Sequence, residues 1–387
     1  MSELPYIPFS RPCLDSAAIE EVVECLRSGW ITTGPRVERF EEMLGAFFGV
    51  SGVQCCASAT GGLLMVLIAL DLKPGDEVIT TPMTFVATLN CIVLAGGVPI
   101  LVDVQPSTYN IDPELVVRAV TPRTKAIVPV HFAGQPVDLD PIYDIAEKHG
   151  LRVLEDAAHA IGADYKGRRI GSFGDIQVFS FHPNKNMTTG EGGCVVTRDD
   201  KIRKQVNLLR FHGIDRDSVP ELKIQGLPHY DIALAGYKFN MMDLQAALGI
   251  HQLPRLAEFN ERRRHFADIY ARELAQCSGL ILPQAPSFFH RHAWHLFAPL
   301  VNTETVGITR EDFMLKLKRV NIGTGLHYQA IHLSRFYSER FGYKRGDFPN
   351  AEYISDRIVS LPLFPSMSST EHERVITAIW DIFRERS

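Results

Sequence analysis

An α/β fold built around a mostly parallel sheet is what this sequence predicts, and three observations predict it. Short apolar runs alternate with helix-patterned stretches through about the first 250 residues, the pattern of strands joined by helical crossovers. The texture changes after about Asp243, where amphipathic helices and His- and aromatic-rich segments take over. The chain also has 387 residues, more than the ~100–200 that one compact domain uses. The expected organisation is a large domain with an N-terminal arm over residues 1–255 and a smaller C-terminal α+β domain over 256–387.

Taken in order, Glu77–Thr80 reads as a short strand after the turn Lys73-Pro-Gly-Asp76. Pro99–Val104, Ala126–Val130 and Arg152–Glu155 read as buried strands, because continuous apolar runs suit a sheet covered on both faces. Leu63–Leu70 continues an apolar helix, and Asp138–His149 is a helix between two strands. Gln177–Ser180 and Gly193–Thr197 are strands around a polar loop. Asp243–Leu256 is apolar at helical spacing, Glu261–Leu274 is a charged amphipathic helix, and a helix over Ser369–Phe383 closes the chain. Between them, Phe288–Phe297 and His327–Tyr337 are rich in histidine and aromatic residues.

Composition removes several classes of function. Acidic residues outnumber basic ones, 45 to 40, for a net charge of −5. No basic excess points to nucleic acid or an anionic membrane surface. The apolar runs Gly61–Leu70 and Cys91–Val102 are too short to span a bilayer. The start, Met1-Ser-Glu-Leu-Pro-Tyr6, has neither a cationic end nor an apolar core, so export is not expected. Seven scattered cysteines without a C-x-x-C suit a reduced, cytoplasmic protein.

The common motifs are incomplete. Gly190-Glu-Gly192 begins a dinucleotide fingerprint, but Val195 stands where its third glycine belongs. Gly162 and Gly167 have P-loop spacing, but Arg168 and Arg169 replace the lysine and hydroxyl residue. His372-Glu373 lacks the second histidine of a zinc-protease helix. His290, His292 and His295 could be read as metal ligands. Beside Trp294 and Phe297 a half-buried strand is the expected reading, and no metal is expected.

Three other features carry chemistry. Ser58-Ala-Thr60-Gly-Gly62 opens an apolar helix, and small residues with hydroxyls at a helix start expose N–H groups to a phosphate. A plain N-cap explains the same residues. The strand Arg152–Glu155 ends in Asp156-Ala-Ala-His159, an acid in the crevice where parallel sheets bind ligands, or an ordinary helix cap. Lys185 follows the strand ending at Ser180 and precedes the loop Thr188-Thr-Gly-Glu-Gly-Gly193; alone it reads as a solvated lysine. Together, in this order, the three match the needs of pyridoxal 5′-phosphate (PLP). That cofactor forms a Schiff base with a lysine, is protonated at its pyridine nitrogen beside a buried carboxylate, and needs donors for its phosphate. Phe85 in Thr81-Pro-Met-Thr-Phe-Val86 is the aromatic residue to cover its ring.

Motifs along nearly the whole chain then resemble the DegT-type sugar-nucleotide aminotransferases, which have the fold-type I PLP architecture. They are Ser28-Gly-Trp-Ile-Thr-Thr-Gly-Pro35, Pro74–Thr81, Pro129-Val-His-Phe-Ala-Gly134, Glu155-Asp-Ala-Ala-His-Ala160, Phe179-Ser-Phe-His-Pro-Asn-Lys185, Gly190–Gly193 and Ser360-Leu-Pro-Leu363. Phe9–Pro12, Gly236–Asn240, His292–Phe297 and Ile322–His327 are similar to the branch that makes UDP-4-amino-4-deoxy-L-arabinose for lipopolysaccharide (lipid A) modification. The resemblance implies that Lys185 forms the Schiff base and Asp156 pairs with the pyridinium nitrogen. It implies that His159 lies near the phenolic oxygen and that Ser180, Ala59 and Thr60 hold the phosphate. Lys238 and Asn240 stand where relatives reach the phosphate from the other subunit, which implies a homodimer with shared sites. Thr33, Gly34, His182, His327 and Tyr328 fall on the sugar-nucleotide side. The implied reaction moves an amino group from L-glutamate to the C4 ketone of a UDP-pentose, releasing 2-oxoglutarate. Another keto sugar, such as a UDP-4-keto-6-deoxy-N-acetylhexosamine, stays open as acceptor. An NAD-dependent enzyme and a non-catalytic sugar-sensing regulator are the readings from other classes; the missing glycine fingerprint speaks against the first, and the set Lys185, Asp156 and Ser180 against the second.

Overall fold

The computed structural model of the chain describes residues 5–216, 218 and 229–384. Seven strands make the central sheet: β1 (Val53–Cys56), β2 (Glu77–Thr80), β3 (Val98–Leu101), β4 (Thr124–Ile127), β5 (Arg152–Asp156), β6 (Ile176–Ser180) and β7 (Gly193–Thr197). Their order is β1-β7-β6-β5-β4-β2-β3. Only β7 runs against its neighbours β1 and β6, and the other pairs are parallel. The expected mostly parallel sheet is therefore present.

Side chains alternate between two apolar layers, as the two-residue period of a strand requires. Cys55, Ile79, Ile127, Val153, Phe179 and Cys194 face one layer, with Phe40, Leu44, Ile142 and Ile250 from helices. Cys56, Val78, Ala126, Leu154, Val178 and Val195 face the other, with Leu63–Leu67, Ile92 and Val206. Both faces are buried, so the strands read as continuous apolar runs.

Several boundaries differ from expectation. Strand β1 was not anticipated, because Val53-Gln-Cys-Cys56 is short and mixed in polarity. It is a strand because β7 pairs with it residue for residue, from Val53 with Val196 to Cys56 with Gly193. The runs expected to reach Val104 and Val130 leave the ladder early. Val104 and Val130 are buried all the same, and each keeps a single bridge, to Ile111 and to Asp156. Burial, not pairing, made those runs apolar. The helix expected over Asp243–Leu256 ends at Gln252, and a 3-10 turn covers Leu253–Arg255. Pro254 has no N–H to continue the ladder. The next helix then starts at Leu256, earlier than the expected Glu261, and runs to Glu273.

That helix joins two cores. Leu256 packs with the sheet, whereas Phe266, Tyr270 and Leu274 pack with Val375 and Ile379 of the terminal helix Ser369–Arg384 in a second core. Ile7 belongs to the second core and bridges Ile322. Among the described residues no helix is long and apolar enough to cross a membrane. All seven cysteines are unpaired.

Candidate active site

The carboxyl ends of the parallel strands bring the chemistry together, where α/β sheets bind ligands. Strand β1 leads to Ser58, whose hydroxyl accepts from the Gly61 amide at 3.1 Å and caps the helix Ala59–Ala69. The Ala59 and Thr60 amides find no acceptor among the described residues, so the helix presents two N–H groups and its positive end. Gly193, the first residue of β7, lies against this turn. A Cβ there would stand 2.5 Å from the Ala59 nitrogen and 2.7 Å from the Phe179 oxygen, so only glycine allows the approach. Ser180 ends β6 on the same side, and its hydroxyl lies 3.4 Å from the His182 amide.

Asp156 ends β5 and is 6% exposed. Its Oδ2 accepts from the Thr88 hydroxyl at 2.8 Å, and its Oδ1 accepts from the Ala158 amide at 3.1 Å. Burial pushes its pKa above the ordinary carboxylate value, while Thr88, the Ala158 amide, Lys185 and His131 pull it back. Next to it, Glu155 is held by Tyr143, Gln177 and His131 at 2.6–2.8 Å.

Lys185 lies half-buried in the loop after β6 and makes no ion pair among the described residues. Desolvation holds its pKa down to about 8, against the pull of Asp156, and the fully buried Arg263 pushes the same way as desolvation. A partly desolvated ammonium without a close partner gives up its proton more readily. The neighbouring Asn186 fixes this loop. Its Nδ2 donates to Asn260 Oδ1 and to the Ala293 oxygen, both at 2.7 Å. Asn260 in turn donates to the Ile161 oxygen at 3.1 Å, so one side chain ties the lysine loop to the segment after Asp156.

His159 shares a hydrogen bond of 2.9 Å with the Tyr328 hydroxyl through Nε2. Its Nδ1 is buried without a partner, and its ring lies 4.3 Å from that of His295. Burial, then Lys185 and His327, hold His159 well below the ordinary histidine range. His327 is lowered to about 4 by burial and Lys185, and its Nδ1 meets the Ser360 hydroxyl at 2.8 Å.

These groups surround a cavity of about 350 Å³. Of the residues read from sequence, Ala59, Thr60, Phe85, Asp156, His159, Ser180, His182, Lys185, His327 and Tyr328 line it. Phe85 sits at the rim, exposed, with its ring 6.0 Å from that of Tyr328. Thr33, Gly34, Lys238 and Asn240 do not line it. Asn240 bridges Cys56 beside β1 and donates to the Thr33 hydroxyl at 2.5 Å, and Thr33 donates to the Met241 oxygen at 2.6 Å. Lys238 is exposed, with its ammonium 4.2 Å from the centre of the Phe211 ring. Of the three histidines weighed as ligands, His290 enters a two-residue strand, His292 stacks on Trp294, and His295 packs on His159. Thr84, Thr88 and Asn260 were missed. Thr84 stood in the segment inspected for Phe85 and Thr88 lies two residues beyond it; their four-residue spacing on a helix start was the available signal.

The DegT/DnrJ/EryC1/StrS aminotransferase family matches residues 12–380. The chain belongs to this family and is an aminotransferase. It is 44% identical to the spore coat polysaccharide biosynthesis protein SpsC of Bacillus subtilis over 383 residues, 98% of this chain and 97% of SpsC. Among solved structures, the PLP form of Spr1654 of Streptococcus pneumoniae, named as a sugar aminotransferase, is 32% identical with a TM-score of 0.90, covering 99% of this chain and all of that one. PseC of Helicobacter pylori, an aminotransferase involved in the biosynthesis of pseudoaminic acid, is 28% identical with a TM-score of 0.91, covering 98% and 100%. The fold is that of the PLP-dependent sugar aminotransferases.

The cavity's chemistry fits PLP. It offers a helix start with two unanswered amides, a buried carboxylate with lone pairs to spare, a lysine whose pKa is lowered to about 8, and a buried histidine with an unpartnered nitrogen.

Proposed function

We propose that this enzyme transfers an amino group from L-glutamate to the C4 ketone of a UDP-linked sugar, of the UDP-4-keto-pentose to UDP-4-amino-4-deoxy-L-arabinose type, releasing 2-oxoglutarate. The observation that carries the reading is the convergence of Lys185, Asp156 and the Ala59 helix start on one cavity. PLP supplies the electron sink when bound. Toward it, Lys185 is the covalent anchor, Asp156 the partner of the ring nitrogen, and His159 the neighbour of the phenolic oxygen. Ser180 and the Ala59 and Thr60 amides hold the phosphate, and Phe85 covers the ring. The neutral Lys185 Nζ then takes up and returns the proton at the substrate's reacting carbon. His182, His327 and Tyr328 line the sugar side, and the rim position of His182, with Glu191 at 3.9 Å, supports a contact to sugar hydroxyls.

We also infer a homodimer with shared sites. Thr33 is bonded to Asn240, the Ile31 and Thr32 carbonyls accept from Leu244 and Asp243, and Trp30, Ile31, Tyr237, Lys238 and Met242 on these two segments are exposed. An apolar patch holding donors that its own cavity does not use suits a second copy. The division at residue 255/256 is retained, supported by two cores joined through one helix. We also propose a cytoplasmic location.

A panel of UDP-, dTDP- and GDP-4-keto sugars with glutamate, read out as 2-oxoglutarate, tests the acceptor. The UDP-4-keto-pentose should turn over fastest. Faster turnover of a UDP-4-keto-6-deoxy-N-acetylhexosamine would establish the second reading. Turnover of none, with PLP bound and its visible absorbance near ~420 nm present, would overturn both.

A further inference from the structure

Thr88 does not itself line the cavity, yet its hydroxyl is the one on which the cavity's carboxylate rests. It lies one helical turn from Thr84 on the helix Val86–Leu94 and its preceding turn, and both threonines are 1% exposed. Thr84 lines the cavity; Thr88 sits behind it, 2.8 Å from Thr84 and 2.8 Å from Asp156 Oδ2. An ionised carboxylate only accepts. Thr88 must therefore give its proton to Asp156, and its remaining lone pair can take the proton of Thr84. The direction of the chain is fixed: Thr84 donates to Thr88, and Thr88 donates to Asp156. The other carboxylate oxygen is engaged by the Ala158 amide. Each oxygen thus has one donor from the protein and keeps one free lone pair.

We propose that Thr88 is a positioning residue for the transamination: its hydroxyl, oriented by Thr84, holds Asp156 as an ionised carboxylate in one orientation toward the cofactor ring. The proposal rests on the role of Asp156 stated above. Burial works against the ionised form, and a hydrogen bond to a charged acceptor is among the stronger kind. The other groups around Asp156 cannot replace Thr88. Lys185, from the loop after β6, is taken up by the cofactor. His131, after β4, accepts the Val137 amide at Nδ1, so its proton is on Nε2 and goes to Glu155. Cys91, on the same helix as Thr88, has its thiol pushed up to about 12 by burial, and Tyr328 is raised as well. Both are neutral at working pH.

The test uses the full-length protein with Thr88→Val, Thr88→Ser, Thr84→Val and Asp156→Asn. PLP dissociation constants are measured across pH, alongside the visible spectrum of the bound cofactor. Thr88→Val should bind PLP about tenfold more weakly, and the acid limb of binding should move to higher pH, because an unsupported carboxylate protonates earlier. Thr88→Ser should restore both, and Thr84→Val should move both in the same direction by less. A Thr88→Val protein with wild-type affinity and pH limb, beside an impaired Asp156→Asn, overturns the role of Thr88. An Asp156→Asn protein that binds and reacts normally overturns the underlying reading of Asp156 instead. Should Thr88→Val fail to fold, Thr84→Val decides: an unmoved acid limb there overturns the relay.

Discussion

Two groups of residues compete for the description of this site, and they behave differently. One group sits at the ends of β1, β5 and β6 and meets in a single cavity. In the other, Thr33 and Asn240 are tied to each other beside β1 and Lys238 lies on Phe211; with Gly34 they leave that cavity alone. The first group is positioned by sheet geometry, since parallel strands deliver their carboxyl ends to one edge. The second has no such organiser within one chain. The shared-site proposal turns on this difference, and mixing variants of the two groups decides it.

The comparison breaks first at Lys185. Lys185→Ala should abolish transamination while the far-UV spectrum stays native, because no other amine among the described residues lines the cavity. Near-normal turnover would remove the lysine from the chemistry. Asp156→Asn should come next, with a loss of about 10²–10³ in rate, since an amide cannot hold a cationic ring nitrogen by charge. A loss under about threefold would place the functional carboxylate elsewhere.

The second group is tested by mixing. Lys185→Ala subunits and Lys238→Ala/Asn240→Ala subunits should each be inactive alone. If sites are shared, a heterodimer collects both lesions in one site and leaves the other intact, so mixtures should regain part of the wild-type activity. No recovery, with subunit exchange demonstrated, would put both lesions in one subunit's site and end the distinction between the groups.

Much of the first group was legible because strand, turn and helix start lie close in sequence. Ser58 to Gly62, Asp156 to His159, and Ser180 to Lys185 each combine a buried strand with a polar break. What stayed hidden depends on partners far along the chain. Strand β1 needed β7, about 140 residues away, to outweigh its weak pattern. Asn260 is one polar residue in a charged helix until its contacts with Asn186 and Ile161 are seen. Thr88 reads as an ordinary helix threonine until Asp156 arrives from 68 residues away. The early end of the Asp243 helix was the exception, because Pro254 was in plain view and the apolar spacing around it was given too much weight.

The smallest effect concerns the protonation of Lys185 in the cofactor-free protein, and it separates a pre-set lysine from one tuned only by the cofactor. In the unfolded chain this amine has its ordinary pKa of 10.5, and in the fold about 8. Below pH 8 both forms carry the proton, and the fold bears the cost of a poorly solvated ammonium. Between those two values the folded chain sheds the proton while the unfolded chain keeps it. The unfolded state then binds more protons, so stability rises with pH across that window. Lys185→Met has no such proton and should show no such rise. Urea unfolding of both cofactor-free proteins should find the wild type gaining on the variant, by on the order of 1 kcal/mol, between about pH 7 and about pH 10. A difference that stays flat across that range would mean that Lys185 is well solvated in the empty cavity. Its neutral form would then owe nothing to the fold, and the first group would no longer be self-contained.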